Sequence, residues 1–458
     1  MKMRQEYRST KAPSRLILLL ATAAGLLLAP TLVLAVPSYA RQTHQPCASC
    51  HVGAFGPELT AFGRNFKLNG YTMALGNDTK IPLSAMVVES YVHTAKGQDP
   101  ADLGKPYNSN NNISLDQASV FVAGRLSNHM GMFAQFTYSE VGGLFGWDNV
   151  DLRYANRFSA GKHSGVWGIT LNNNPTITDV FNSAPAWSFP YMGSDLAPGA
   201  PAAPILVDGL GGQSIGATAY TQIDGKWYLE AGGYRTLSVS FTHAVNAGYD
   251  GKISGFAPYA RLAYTWTVPN GDFTLGGFLL DVKRSGVGVD MSGNPFPLPG
   301  PTDNYNDLGL SGDYMYTKGK NIFTVNGLYV HESQKLHNAF ANGDASNLSN
   351  TLDQFNIKGS YWLDNTYGVT LSQFSSNGSK DVGLYGNNGS PNTQGGVVEF
   401  DYNPFGHSGS WLEPYLNMRI GLQYTYYTKF SGLVHNIDGA GRNASDNNTT
   451  YLYIWLAM

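Results

Sequence analysis

From residue 81 to the end of the chain, apolar and polar positions alternate with a period of two, through about sixteen short runs. In LNMRIGLQYTY, Leu416, Met418, Ile420, Leu422, Tyr424 and Tyr426 share one face. Asn417, Arg419, Gly421, Gln423 and Thr425 share the other. In DLGLSGDYMY, Leu308, Leu310, Tyr314 and Tyr316 oppose Asp307, Gly309, Ser311 and Asp313. In ARLAYTWTV, Leu262, Tyr264, Trp266 and Val268 oppose Arg261, Ala263, Thr265 and Thr267. Successive side chains of a strand point to opposite faces, so these runs predict strands with one polar and one apolar face. Helical periodicity is almost absent here.

The connections are of two kinds. IDGK at 223–226, VPNG at 268–271, KGKN at 318–321 and LDNT at 363–366 predict tight turns. They alternate with long Gly-, Asn- and Pro-rich stretches at 97–112, 174–212, 285–303, 332–350, 377–393 and 430–448. Short turns on one rim and long loops on the other are the asymmetry of a transmembrane barrel. An even strand count puts both barrel ends on the short-turn side. Trp227-Tyr228 and Tyr361-Trp362 stand near run ends, as interfacial girdles do. A soluble sandwich shows the same alternation, but one soluble sheet system rarely takes so many strands without a repeat or a second core. The expected fold over 81–458 is an all-β transmembrane barrel, porin-like, of about sixteen antiparallel strands in a bacterial outer membrane. The final run, YLYIWLAM, alternates to the end, with Leu452, Ile454, Leu456 and Met458 on one face. It finishes on Met458 where such barrels usually carry an aromatic. Glu89, His93, Arg125, Arg261, Asp307, Asp313, Lys358, Glu399, Asp401 and Arg419 are then expected to line the lumen as an ion-paired wall, none of them catalytic.

The N-terminus changes the picture of compartment. Lys2, Arg4, Arg8, Lys11 and Arg15 precede the apolar run LILLLATAAGLLLAPTLVLA, and Val33-Leu34-Ala35 fits a small-x-small cleavage site. A retained membrane anchor is the competing reading; Pro30 and the small residues after it favour a signal peptide over 1–35. The whole chain holds 29 basic and 32 acidic residues; without 1–35 it holds 24 and 31, a net charge of −7. That balance disfavours nucleic acid and suits cationic partners.

Chemistry enters at QPCASCH. Cys47 and Cys50 are the only cysteines in 458 residues, and His51 follows directly. Cys-x-x-Cys-His is the attachment signature of c-type haem. Two thiols at that spacing reach the two vinyl groups of one porphyrin, and the next residue supplies the proximal nitrogen. Three other readings compete. A thioredoxin-like pair needs a βαβ unit, which is not visible. A zinc knuckle needs two more ligands, and only His44 is near. A plain disulfide fits an oxidising compartment. The reading favoured is one covalently attached haem c. Pro57 and Glu58 open a predicted helix running through Leu68, with Gly70 closing it. Leu59, Phe62 and Phe66 recur at i, i+3 and i+7. A segment over 36–80 is too short to bury a core of its own. The haem would be that core, packed on Phe62 and Phe66, with the small helical domain plugging or abutting the barrel lumen.

VPSYARQT, CASCH and FGPELTAFGRNFKLNGY, followed by a barrel, together resemble the fused outer-membrane cytochrome–porins, which include the iron-oxidising cytochromes. The resemblance is carried by motif over 36–73 and by architecture over the barrel. It implies a monohaem domain plugged in a porin, with Cys47, Cys50 and His51 holding the haem. It implies electron transfer from an extracellular donor, Fe(II) favoured, to a periplasmic soluble cytochrome; as an enzyme this would be an Fe(II):cytochrome c oxidoreductase. Met73, just past the helix, is the first choice for the second axial ligand, and a Met ligand raises the potential. His44, Met86 and His93 are alternatives. Two other functions stay open: a diffusion porin with a structural or gating haem, and a conduit for a non-iron donor.

Overall fold

The computed structural model describes residues 38–75, 83–104, 106–291, 294–386, 388–407, 410–412 and 415–458. The leader expected over 1–35 lies outside them. Sixteen strands pair antiparallel with their sequence neighbours, and the first, Leu83–Thr94, pairs with the last, Thr449–Ala457, to close a barrel. The seam runs from Met86 opposite Ala457 to Thr94 opposite Thr449. Just below it, Ala85 and Met458 exchange both backbone hydrogen bonds, at 2.6 and 2.9 Å. Closure removes the unpaired edges that a sheet cannot expose to lipid. A short ribbon, Val287–Val289 with Pro295–Pro297, stands apart from the barrel.

Alternation fixes which side faces lipid. Leu262, Leu308, Leu310, Leu422 and Ile454 are exposed on the outer surface, while Arg261, Asp307, Asp313 and Arg419 are buried inside. Sliding a strand by one residue would exchange these sets, so the register is strongly specified. Strands Asp303–Lys318 and Asn321–Leu336 each hold 16 residues. A tilted strand crosses the hydrocarbon in about 9–11 residues, so these two extend beyond it. The rim that carries both barrel ends has tight turns at 126–129, 161–162, 224–226, 269–270, 319–320 and 364–366. At one of them Asp224 and Gly225 both have positive φ, +55° and +67°, as a two-residue hairpin turn matched to strand twist requires. A longer connection, 403–416, is the exception on this rim, and the short link 140–143 is the exception on the other. A closed antiparallel barrel with an apolar exterior, a buried polar interior and this loop asymmetry is an outer-membrane architecture, and the protein is a bacterial outer-membrane barrel of porin type.

The lumen is filled. The loop 173–213 folds inward: Ile177, Val180, Phe181, Leu196, Leu206 and Leu210 are all buried. The Ile205 and Leu206 amides donate to carboxylates of the wall, Glu332 and Asp307, each at 2.6 Å. The segment 38–75 occupies the remaining space as a plug. It contains short helices Ser38–Thr43 and Cys47–Cys50 and a helix Ala61–Leu68. That last helix starts later than Pro57-Glu58 predicted. Val52 donates to the Glu58 carbonyl and Thr60 to the Cys50 carbonyl, each at 2.9 Å, which holds 58–60 extended against 50–52. Thr60 then caps the helix by accepting from the Gly63 amide.

Eight of the ten expected lumen residues are buried inward; Glu89 and His93 are not. On the first strand Met86, Val88, Ser90, Val92 and Thr94 are buried, so the alternate positions 89 and 93 face outward. The expectation assumed a hydrated lumen. Here the inner face of the first strand meets packed protein, so apolar residues turn inward.

Candidate functional site

Pro46, with φ −63° and ψ 154°, brings the chain extended into a single helical turn, Cys47–Cys50. Residues three apart on a helix are surface neighbours, so the turn sets both thiols on one side. The His51 amide closes the turn on the Cys47 carbonyl at 2.9 Å. His51 itself is extended, at φ −122° and ψ 137°, and bridges to Leu59. Helix Ala61–Leu68 packs directly on this turn through Gly63, where an added Cβ would lie 2.2 Å from the Cys50 carbonyl oxygen. Backbone on one side and helix on the other leave no flexible atom to yield. Gly63→Ala should therefore displace the turn and destabilise the plug by roughly 1–3 kcal/mol, the usual cost of overpacking. Thermal denaturation of the variant beside the parent checks it; an unchanged melting temperature would show that the turn tolerates the shift.

Cys47, Cys50 and His51 line one wall of a cavity of about 430 Å³, within the range of cofactor sites. Leu59 and Phe66 from the plug share that wall. The far wall comes from the barrel, with Met86, Phe121, Phe133 and Trp455, and from the inner loop, with Trp187, Tyr191 and Met192. Phe66 stacks edge-on to Tyr39 at 4.8 Å, and Phe55 packs on Trp455 at 4.3 Å. Ser84, Ala85, Ala457 and Met458 also border the cavity, which sets it at the short-turn end of the strands.

The electrostatics of the motif favour a ligand over a redox pair. Burial pushes the Cys50 thiol up to about 12, with Cys47 alongside adding to the effect. A reactive dithiol needs the opposite, a depressed thiol. Burial lowers His51 to about 4; a backbone contact with Gly56 opposes this and Arg419 reinforces it. The imidazole is therefore neutral at neutral pH, the state that ligates metal. Its buried Nδ1 has no hydrogen-bond partner among the described residues. Among the described residues no three His, Cys, Asp or Glu side chains converge as a metal cluster. Two thiols at this spacing, a buried neutral imidazole and an adjoining apolar cavity fit a c-type haem.

Not all the other expected residues join this wall. Phe66 does; Phe62 is half-buried and lies outside it. Met73 is also outside, its carbonyl accepting from Gln42 at 2.9 Å. His44 is exposed, and His93 bonds Asn111 on the outer face at 2.9 Å. Of the alternatives named, Met86 reaches the cavity. Met192 reaches it too, and both are buried at 6 % exposure. Met192 was not anticipated, because it comes from a loop about 140 residues away in a stretch without periodicity.

Plug, wall and loop are tied by buried polar contacts. Lys358 donates to Glu58 at 2.6 Å and to Tyr191 at 2.6 Å. Burial pushes Glu58 up, but Lys358 outweighs that and holds it below the usual carboxylate range. Arg64 reaches Asp313 at 3.2 Å and also pairs with Asp272. Arg419 donates to the Phe55 carbonyl at 2.7 Å, and its guanidinium lies over Trp362 at 4.8 Å. Leu59 and Asn182 exchange bonds at 2.7 and 3.0 Å, and Tyr71 donates to Asp151 at 2.7 Å.

No family model matches the chain, and neither does any curated protein. Among solved structures it is similar to Salmonella typhi OmpF in complex with daunomycin, at 13% identity and a TM-score of 0.48, covering 83% of this chain and 98% of that one. It is similar to the anion-selective porin from Comamonas acidovorans at 12% identity and 0.47, covering 83% and 99%. It is similar to the outer membrane channel DcaP of Acinetobacter baumannii at 10% identity and 0.46, covering 84% and 100%. At these scores the strand pairing of the chain itself is the stronger ground for the fold.

Proposed function

We propose that this protein carries electrons across the outer membrane through one haem c, from an extracellular donor, Fe(II) favoured, to a soluble cytochrome in the periplasm. The observation that carries the reading is the cavity: both cysteines and His51 converge on one wall, and the barrel closes the other. When bound, the haem would supply a one-electron couple whose potential the protein tunes by axial ligand and burial.

The chain's own residues would do the rest. Cys47 and Cys50 would hold the group covalently, and His51 would ligate the iron. Phe66, Trp187 and Trp455 would exclude water, which raises the potential of a buried couple. Met86 or Met192, on the barrel side of the cavity, would supply the sixth ligand in place of Met73. Alanine at the ligating position should lower the potential and abolish the thioether charge-transfer band. Loss of that band in Met73→Ala alone would return the assignment to the plug. No proton transfer or covalent step on substrate is needed.

The cavity lies near the periplasmic rim, close to where a soluble carrier would dock. The first strand rises about eight residues above Met86, so the outer rim is roughly 20 Å away. The inner loop fills that distance, and the donor would have to approach along it.

The test is stopped-flow mixing of the oxidised, detergent-solubilised protein with Fe(II), following haem absorbance. Rapid reduction in the wild type and its loss in His51→Ala are the expected results. A haem that stays oxidised with Fe(II) but accepts electrons from a stronger donor would remove iron and leave the conduit. The likeness to porins and channels supports a second reading, a diffusion porin whose haem is structural. It requires solutes to pass the plug, and a bilayer recording separates the two.

A further inference from the structure

We propose that Lys67 is the counter-charge for the haem's propionate carboxylates; this rests on the reading above. Lys67 lines the cavity and is 6 % exposed. Apart from His51, it is the only basic side chain on the cavity wall among the described residues. Its Nζ donates to the Ile177 carbonyl at 2.6 Å and lies 4.8 Å from the centre of the Trp187 ring, itself part of the wall. It forms no ion pair among the described residues. The charges around it are otherwise engaged. Arg153 pairs with Asp151 at 2.7 Å, and Arg261 with Asp179. Glu230 is satisfied by the hydroxyls of Thr178, Thr218 and Tyr228. Asp148, also on the wall, accepts from Thr137 at 3.2 Å and from Asn149 at 3.0 Å.

An ammonium buried with one carbonyl and a ring face is poorly compensated. Burial pushes Lys67 well below the usual lysine range, with Arg153 adding to it and Asp151 and Glu230 opposing it only in part. An anion in the cavity would reverse that penalty. Every haem c brings two carboxylates at one edge of the ring, opposite the edge that the two thioether bonds hold. Lys67 would then neutralise one carboxylate of that edge inside the cavity. Its removal would disfavour the reduced haem, since a nearby cation stabilises the added electron.

The test compares Lys67→Met and Lys67→Arg in the full chain and in a Cys47→Ser/Cys50→Ser background without haem. Haem content, reduction potential, the propionate-bending band in resonance Raman and thermal stability are read together. In the holoprotein, Lys67→Met should keep full covalent haem, lower the potential, shift the propionate band and lower the melting temperature, and Lys67→Arg should restore all three. In the haem-free background the same Lys67→Met change should leave the melting temperature unchanged or raise it, because an uncompensated charge is gone. Unchanged potential and band with haem present would overturn the role of Lys67 while leaving the electron-transfer reading intact. Equal destabilisation in both backgrounds, or failure to fold in both, would also overturn it, by placing the residue's work in the fold. Absence of covalent haem in the wild type would remove the reading beneath it.

Discussion

In a planar bilayer, the full chain should conduct far less than the same barrel lacking residues 38–75. The plug does not rest loosely in the lumen. Glu58, Arg64, Lys67 and Tyr71 each place a polar group into the wall or the inner loop, and most of these groups are buried on both sides. Breaking one buried ion pair by removing a partner usually costs about 3–5 kcal/mol, so concerted release of several is improbable on the timescale of a recording. Val52, Met315, Ile322 and Trp362 form one apolar contact between plug and wall, and Leu68 joins Val166, Tyr220 and Tyr228 in another. Removing the plug leaves a barrel partly blocked by the loop 173–213, so conductance should appear at the level of a constricted porin. Equal conductance with and without the plug would mean that solutes pass it, and the diffusion reading would then stand.

Replacing Cys47 and Cys50 with serine should abolish covalent haem and, with it, reduction by Fe(II), while the barrel remains folded. The two effects separate because the cysteines serve the plug's cavity and the barrel closes through its own backbone bonds. Haem staining after denaturing electrophoresis reads the first effect, and heat-dependent mobility in the same gel reads the second. A double serine variant that retains covalent haem would exclude thioether attachment at this motif. A variant that loses the barrel along with the haem would show instead that the plug is needed to template closure.

The alternating runs carried the barrel plainly. Leu308 against Asp307, and Leu262 against Arg261, define two faces from local chemistry alone, and a period of two admits one local structure. The turns followed for the same reason, since IDGK must bend tightly whatever surrounds it. The motif Cys47-Cys50-His51 was equally local: its chemistry depends on spacing within five residues. What failed depended on which environment each face met. Glu89 and His93 were expected inward because polar faces line a hydrated lumen; the first strand instead turns Met86, Val88 and Val92 inward onto packed protein. Tyr451, Tyr453 and Trp455 likewise face inside, where Trp455 packs on Phe55. Alternation separates two faces but does not say which of two apolar environments, lipid or plug, each one touches.

The sequence by itself determined the strand pattern, the rim asymmetry and the outer-membrane setting, and it grouped Cys47, Cys50 and His51 at one turn, because each is encoded in neighbours along the chain. The tertiary structure alone decided that the loop 173–213 folds into the lumen, that Met192 rather than Met73 lies on the cavity wall, and that Lys67 is buried there, its Nζ on the Ile177 carbonyl and in no ion pair among the described residues. Those residues are brought together across separations of more than a hundred positions by barrel closure, and no local periodicity records which segments a closed sheet will enclose.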